Sequence, residues 1–186
     1  MGILIVRVLS KLKSLLIRSR LLVLFILMRK NIAINFSFNI GPGFNIFFSG
    51  SAFKIYIQKF FSARSNFSIM IEKEGLLEIG SCVFFNNNCS LSSMGRIKIG
   101  DNCLFGENVH IYDHNHKYDH LSLTNQNDFA IGSVNIGNNV WVGSNVVILK
   151  GVTIGNNVVI GANNLIYFNV ADNSVVLNNS TVCIKR

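Results

Sequence analysis

The chain has 186 residues, 49% of them hydrophobic, which suits one domain with a sizeable core plus an appendage. Its formal charge of +8 is uneven: residues 1–30 carry Arg7, Lys11, Lys13, Arg18, Arg20, Arg29 and Lys30 and no acid, while the rest is close to neutral, so the global charge makes no case for nucleic-acid binding. Cys82, Cys89, Cys103 and Cys183 form no CxxC pair and no zinc spacing, which points to a reduced, cytoplasmic setting, and no P-loop or dinucleotide fingerprint is present.

The first element, residues 1–31, has basic residues every three to four positions at several places and no proline, which predicts a basic amphipathic helical arm. Its apolar run "LLVLFILM" is broken by charge well short of the roughly 18 residues a membrane span needs. Two readings of the arm stand side by side: peripheral contact with an anionic membrane surface through residues 1–30, or packing against the domain end or partner subunits.

Residues 32–186 read as one domain organised by a period of six. The period is weak and Phe-rich at first, with frame positions Ile34, Ile40, Ile46 and Ala52. It strengthens in "IGSCVF", "FNNNCS" and "LSSMGR" and, after a two-residue offset, in "IGDNCL" and "FGENVH". From Ile136 it runs unbroken through "IGNNVW", "VGSNVV", "ILKGVT", "IGNNVV", "IGANNL" and "IYFNVA". Six residues fit neither a helix of 3.6 residues per turn nor an alternating strand. They fit short strands joined by tight turns into a stacked parallel β-helix, with positions one and five of each block inward and Gly/Asn steps at the corners. Cys89 and Cys103 take the inward fifth position, as small apolar fillers. Cys82 falls beside it in a turn.

The frame stops after Ile111 and resumes near Ile131 to Ile136, so residues 112–133 predict a loop extruded from one corner. Function concentrates on such loops. It opens with "IYDHNHKYDH", which holds His114, His116 and His120. Imidazole, with an ordinary pKa near 6.5, suits proton transfer. No zinc-ligand spacing is visible, and "HNH" lacks the ββα context of a nuclease. His110 ends a repeat block and reads as a wall residue. Trp141, the only tryptophan, takes an outward sixth position, which suggests a binding surface.

These blocks resemble the hexapeptide-repeat acyltransferases, over about residues 75–170 clearly and 32–75 weakly. Within them the chain is similar to the maltose and galactoside O-acetyltransferases and to bacterial capsule and O-antigen O-acetyltransferases. The resemblance implies an all-β fold, a left-handed parallel β-helix with three hexapeptides per coil and an N-terminal α-helical arm. It implies a homotrimer with active sites between subunits and acetyl-CoA as cosubstrate, with no metal. It implies transfer of acetyl to a hydroxyl of a bacterial surface saccharide: capsule, O-antigen of lipopolysaccharide, or a sialic-acid-containing glycan. The enzyme would be cytoplasmic, peripheral at the inner face of the membrane if the arm binds there.

In the similar enzymes an asparagine precedes the catalytic histidine by thirty residues. Here Asn86 in "FFNNNCS" precedes His116 by that interval, which selects His116 as general base and gives Asn86 a part in positioning the acceptor or stabilising the intermediate. Asp113 is a candidate for orienting the imidazole. Tyr112, His114 and Trp141 are candidate acceptor contacts. Trp141, Gly143, Ser144, Ala162 and Tyr167 are implied to line the coenzyme arm. The tail after Val170 lacks the "KDIP" and "AGNPA" segments of many relatives. Two other functions stay open on the residues alone: acetyl transfer to an amino sugar or small metabolite, and a metal-bearing β-helix that transfers nothing.

Overall fold

The computed structural model describes residues 16, 19, 22–24, 26–35, 37–118 and 125–177, with the backbone alone of 180–183. Residues 1–15 of the arm, Arg18, Arg20 and His120 lie outside them, and so do the expectations that rest on them. The described part of the arm is helical where the basic, proline-free pattern predicts it, at residues such as Leu22, Val23 and Leu24. Leu24 and Met28 pack on the domain core, whereas Leu22, Val23, Ile26 and Leu27 are exposed. Among the described residues no helix is long and apolar enough to cross a membrane.

The domain is a parallel β-solenoid with three faces of six, eight and six strands. Successive coils pair in register: on the first face Ile57 lies beside Ile79, Ile79 beside Ile99, and Ile99 beside Ile136. On the second face Phe85, Phe105, Val142 and Ile160 form one inward file. On the third face Ile69, Leu91, Ile111 and Ile148 form another. From Ile79 to Val170 frame positions one and five are buried, apart from the half-buried Gly95, with Cys89 and Cys103 among them. Each fully buried Val, Ile or Phe contributes about 1.5–3 kcal/mol, and each coil can bury its inner face only against its neighbours. Phe61, Phe67, Phe85 and Phe105 fill the lower coils with touching rings, while Ile and Val fill the upper ones. Asn164, the one break in the fifth-position series, is buried and donates to the carbonyls of Gly161 and Ala162.

The abundant asparagines hold the corners. Asn66, Asn88, Asn108, Asn139, Asn145, Asn157, Asn163 and Asn173 all have φ between 55° and 60°. Asn tolerates this left-handed backbone better than other residues with a Cβ. Their amides stack from coil to coil, Asn108 onto Asn145 at 2.9 Å and Asn145 onto Asn163 at 3.0 Å. A second ladder joins Asn139, Asn157 and Asn173 at 2.9 and 3.0 Å.

One early frame position is corrected. Ala52 is exposed and Phe53 beside it is buried, because the chain adds residues between Ile46 and the next first-face position, Ile57. The same corner, from third face to first, takes every other insertion, between Ile69 and Ile79, Leu91 and Ile99, and Ile111 and Ile136. The other two corners keep the six-residue step, so the solenoid has one variable edge.

Candidate active site

The largest insertion leaves that edge after Tyr112. Asp113 turns inward and is fully buried. Its Oδ2 accepts the Ser93 hydroxyl at 2.6 Å and the Gly95 N–H at 2.9 Å. Its Oδ1 accepts the Met94 N–H at 2.8 Å and lies 2.9 Å from His114 Nδ1. Burial alone would push this carboxyl up; the bonds from His114, Ser93, Met94 and Gly95 outweigh it and hold the pKa below the ordinary value. A carboxylate acceptor makes Nδ1 a protonated nitrogen of His114.

The chain then forms a small hairpin, His114–His116 antiparallel to Phe129–Ile131, with His114 opposite Ile131 and His116 opposite Phe129. Residues two apart on a strand share a side, so both imidazoles meet Phe129. Its ring centroid is 5.5 Å from His114, edge-on, and 4.5 Å from His116. Lys73, from the corner two coils below, sets its Nζ 4.8 Å from the same centroid. Gly95 lets the hairpin lie against the corner: a Cβ there would stand 2.5 Å from Ile131 Cγ2. Across the strands Lys117 pairs with Asp128 at 2.9 Å.

The expected pairing of Asp113 with the His116 imidazole is corrected. Asp113 holds His114, the adjacent residue, whose side chain is only 13% exposed. His116 is exposed and is positioned by Phe129, a residue that no sequence signal marked, because the loop has no period. Tyr112 stays on the third face, its ring 6.4 Å from that of His110. His110 Nδ1 meets the Ser90 hydroxyl at 2.7 Å, a wall contact.

A trench of about 460 Å³ runs along a different corner, from second face to third. Gly106, Gly143 and Gly161 stack along it. A Cβ at Gly106 would meet the Ser144 nitrogen at 2.6 Å, and one at Gly143 the Ala162 nitrogen at 2.6 Å. The floor is therefore bare backbone that no side chain could cover. Trp141, 57% exposed, forms one wall, with Val159, Ser144, Ala162 and Leu177 around the rest. Four residues expected at the coenzyme arm, Trp141, Gly143, Ser144 and Ala162, thus meet at one trench. Tyr167 does not join them; it stands exposed on the third face, its ring edge-on to Phe168 at 5.4 Å. Gly106 and Leu177 were not anticipated, although Gly106 sits at the same step after Phe105 as Gly143 after Val142. A hollow of about 530 Å³ lies elsewhere, on the first face, lined by polar groups such as Glu78, Lys98 and Asp101.

Asn86 belongs to the trench corner, one coil below Gly106, since Phe85 pairs with Phe105. Its Oδ1 accepts the Asn87 N–H at 2.9 Å and Arg64 Nη1 at 3.4 Å. His116 springs from the next corner. The third face lies between them, roughly 13 Å for a four-residue strand such as Ser90–Ser93. The trench and the hairpin therefore lie on different corners of one chain. Among the described residues no three His, Cys, Asp or Glu side chains converge as a metal site needs.

Residues 133–167 match the family "Bacterial transferase hexapeptide (six repeats)", and residues 96–111 match "Hexapeptide repeat of succinyl-transferase". Over these residues the chain carries the hexapeptide repeat of bacterial transferases. Among curated relatives of this hexapeptide-repeat chain, Nodulation protein L of Rhizobium leguminosarum is 35% identical over 76 residues, 40% of this chain and 39% of that protein. The matched segment thus spans about two fifths of that relative. A maltose O-acetyltransferase from Clostridium difficile 630 superposes with a TM-score of 0.57 at 29% identity, covering 86% of this chain and 72% of that one. A galactoside acetyltransferase solved in complex with coenzyme A gives a TM-score of 0.52 at 29% identity, covering 80% and 65%.

Proposed function

We propose that this protein transfers acetyl from acetyl-CoA to a hydroxyl of a bacterial surface saccharide, as a homotrimer whose sites form between copies. The observation that carries the reading is the bare-backbone trench bounded by Trp141, Gly143, Ser144 and Ala162. A pantetheine arm is thin, carries amides and can use backbone groups that only a glycine floor leaves open. The separation of trench and hairpin, the two half-sites, favours an assembly in which one copy's hairpin faces its neighbour's trench.

In that arrangement His116 takes the proton of the acceptor hydroxyl as it attacks the thioester carbonyl, and returns it to the departing thiolate. Negative charge gathers on the former carbonyl oxygen, and the Asn86 amide is the side-chain donor on the trench corner for it. Phe129 backs the His116 ring, and the Asp113–His114 pair pins the root of the hairpin.

Acetyl-CoA with a panel of saccharides tests the reading. The expected result is acceptor-dependent thiol release with a product ester that hydroxylamine cleaves. A hydroxylamine-stable amide, or no acceptor-dependent release from any saccharide, would overturn it. The exposed Leu22, Val23, Ile26 and Leu27, followed by Arg29 and Lys30, favour peripheral contact with an anionic membrane. Equal flotation with neutral and anionic vesicles would count against that contact.

A further inference from the structure

The outer surface beside the trench changes chemistry along the solenoid axis. On the second face the outward file runs Val159, Trp141, Leu104 and Phe84, then switches to Ser62 and Asn39. The corner file next to it runs Gly161, Gly143, Gly106, Asn86, Arg64 and Gly41. Both change at the coil of Phe84 and Asn86. Above it the surface is apolar with a backbone floor, suited to a pantetheine arm. Below it the surface is polar and holds a cation.

Arg64 is that cation, and it is held in place. Its guanidinium lies 5.7 Å from the Phe84 ring centroid, and its Nη1 reaches Asn86 Oδ1 at 3.4 Å. Ring stacking and one hydrogen bond orient a planar fork and leave its other donors open. Among the described residues Arg64 makes no ion pair. The acid of this corner, Glu107, lies on the trench side of Asn86 and accepts from Asn87 Nδ2 at 3.0 Å. With coils about 4.8 Å apart, the Arg64 backbone stands one coil below Asn86, and its guanidinium reaches up to the Asn86 amide. A sugar whose hydroxyl meets the Asn86 amide therefore brings a substituent of the same ring within reach of that guanidinium.

We infer that Arg64 is a specificity-determining residue that selects a carboxylate-bearing saccharide, a hexuronic or nonulosonic acid residue, at the acceptor end of the trench. This rests on the proposed acetyl transfer and deepens it by naming the acceptor class. The acid's carboxylate meets the free face of the guanidinium while the neighbouring hydroxyl faces the thioester. An ionised hydrogen-bonded pair of this kind is worth a factor on the order of 10 to 100 in selectivity.

The test measures kcat/KM on oligosaccharides of a hexuronic acid and of a nonulosonic acid, each beside its carboxyl-reduced form. Wild-type protein should favour at least one acidic form over its reduced partner by 10-fold or more. Arg64→Gln should bring that ratio to within about two-fold, chiefly through KM, and Arg64→Lys should keep part of it, since an ammonium retains charge without the fork. A wild-type ratio near one for both pairs, or a ratio that Arg64→Gln leaves intact, overturns the assignment while acetyl transfer itself stands. If no saccharide accepts acetyl, the functional reading falls as well, which separates the two failures.

Discussion

At the residue scale the variable edge is governed by one buried carboxylate. Asp113 satisfies the Ser93–Gly95 turn and His114 together, so its replacement strands several donors at once. Asp113→Asn should cost about 3 kcal/mol near neutral pH, by the usual penalty for breaking a buried, hydrogen-bonded charge. The sign with pH follows from the depressed pKa. The stabilisation is complete above the unfolded carboxyl value, near 4, and disappears as pH falls through the lower folded value. Urea unfolding from neutral to acid pH should show the wild-type advantage closing only below about pH 4. A gap independent of pH would deny the carboxylate this role. His116 predicts a different outcome: exposed and carrying no buried network, His116→Ala should leave the unfolding midpoint nearly unchanged. As the proposed base its loss should lower kcat by about 10²–10⁴. Retained turnover would move the base elsewhere, with His114 the next imidazole to test.

At the element scale the corners are set by contact rather than by freedom. Gly100 needs no positive φ. It is glycine because a Cβ would meet the Gly137 carbonyl oxygen at 2.6 Å and Asn138 Oδ1 at 2.4 Å. That neighbour is backbone of the next coil and cannot rotate away. Gly100→Ala should therefore cost about 2–4 kcal/mol and lower Tm by about 5–15 °C. Gly151 makes the control. Nothing lies within 4 Å of a Cβ there, but its φ is +79°, so Gly151→Ala should cost only about 1 kcal/mol of backbone strain. Calorimetry giving equal losses would contradict the contact argument. The hairpin follows the same rule, since Gly95 admits Ile131 and thereby sets where Phe129 and His116 lie.

At the scale of the whole molecule, trench and hairpin occupy different corners of the solenoid. On the proposed reading, assembly of copies joins them. Copies carrying His116→Ala and copies carrying Ala162→Trp, which fills the trench, should each be inactive alone. Co-assembled at random they should recover about one quarter of wild-type activity, from sites that pair an intact trench with an intact hairpin. No recovery in verified mixed trimers would place both half-sites within one copy and sink the shared-site account.

The six-residue frame, the inward positions, the two buried cysteines, the outward Trp141 and the extruded loop were all legible in the amino-acid order. Each follows from a local rule, repeated by every coil, about which side chain a short strand turns inward. The residues around the trench were expected from the resemblance, and the repeat sets them side by side: Gly143 and Gly161 take one step of successive blocks, Ser144 and Ala162 the next. The partner of Asp113, the support of His116 by Phe129 and Lys73, the burial of Phe53 in place of Ala52, and the position of Arg64 one coil beyond Asn86 were not. These contacts join residues brought together by aperiodic insertions or by stacking across some twenty residues of chain, as between Arg64 and Asn86. A repeating pattern fixes what every coil does alike; where the chain leaves the pattern, only the packing of coil on coil decides which side chains meet.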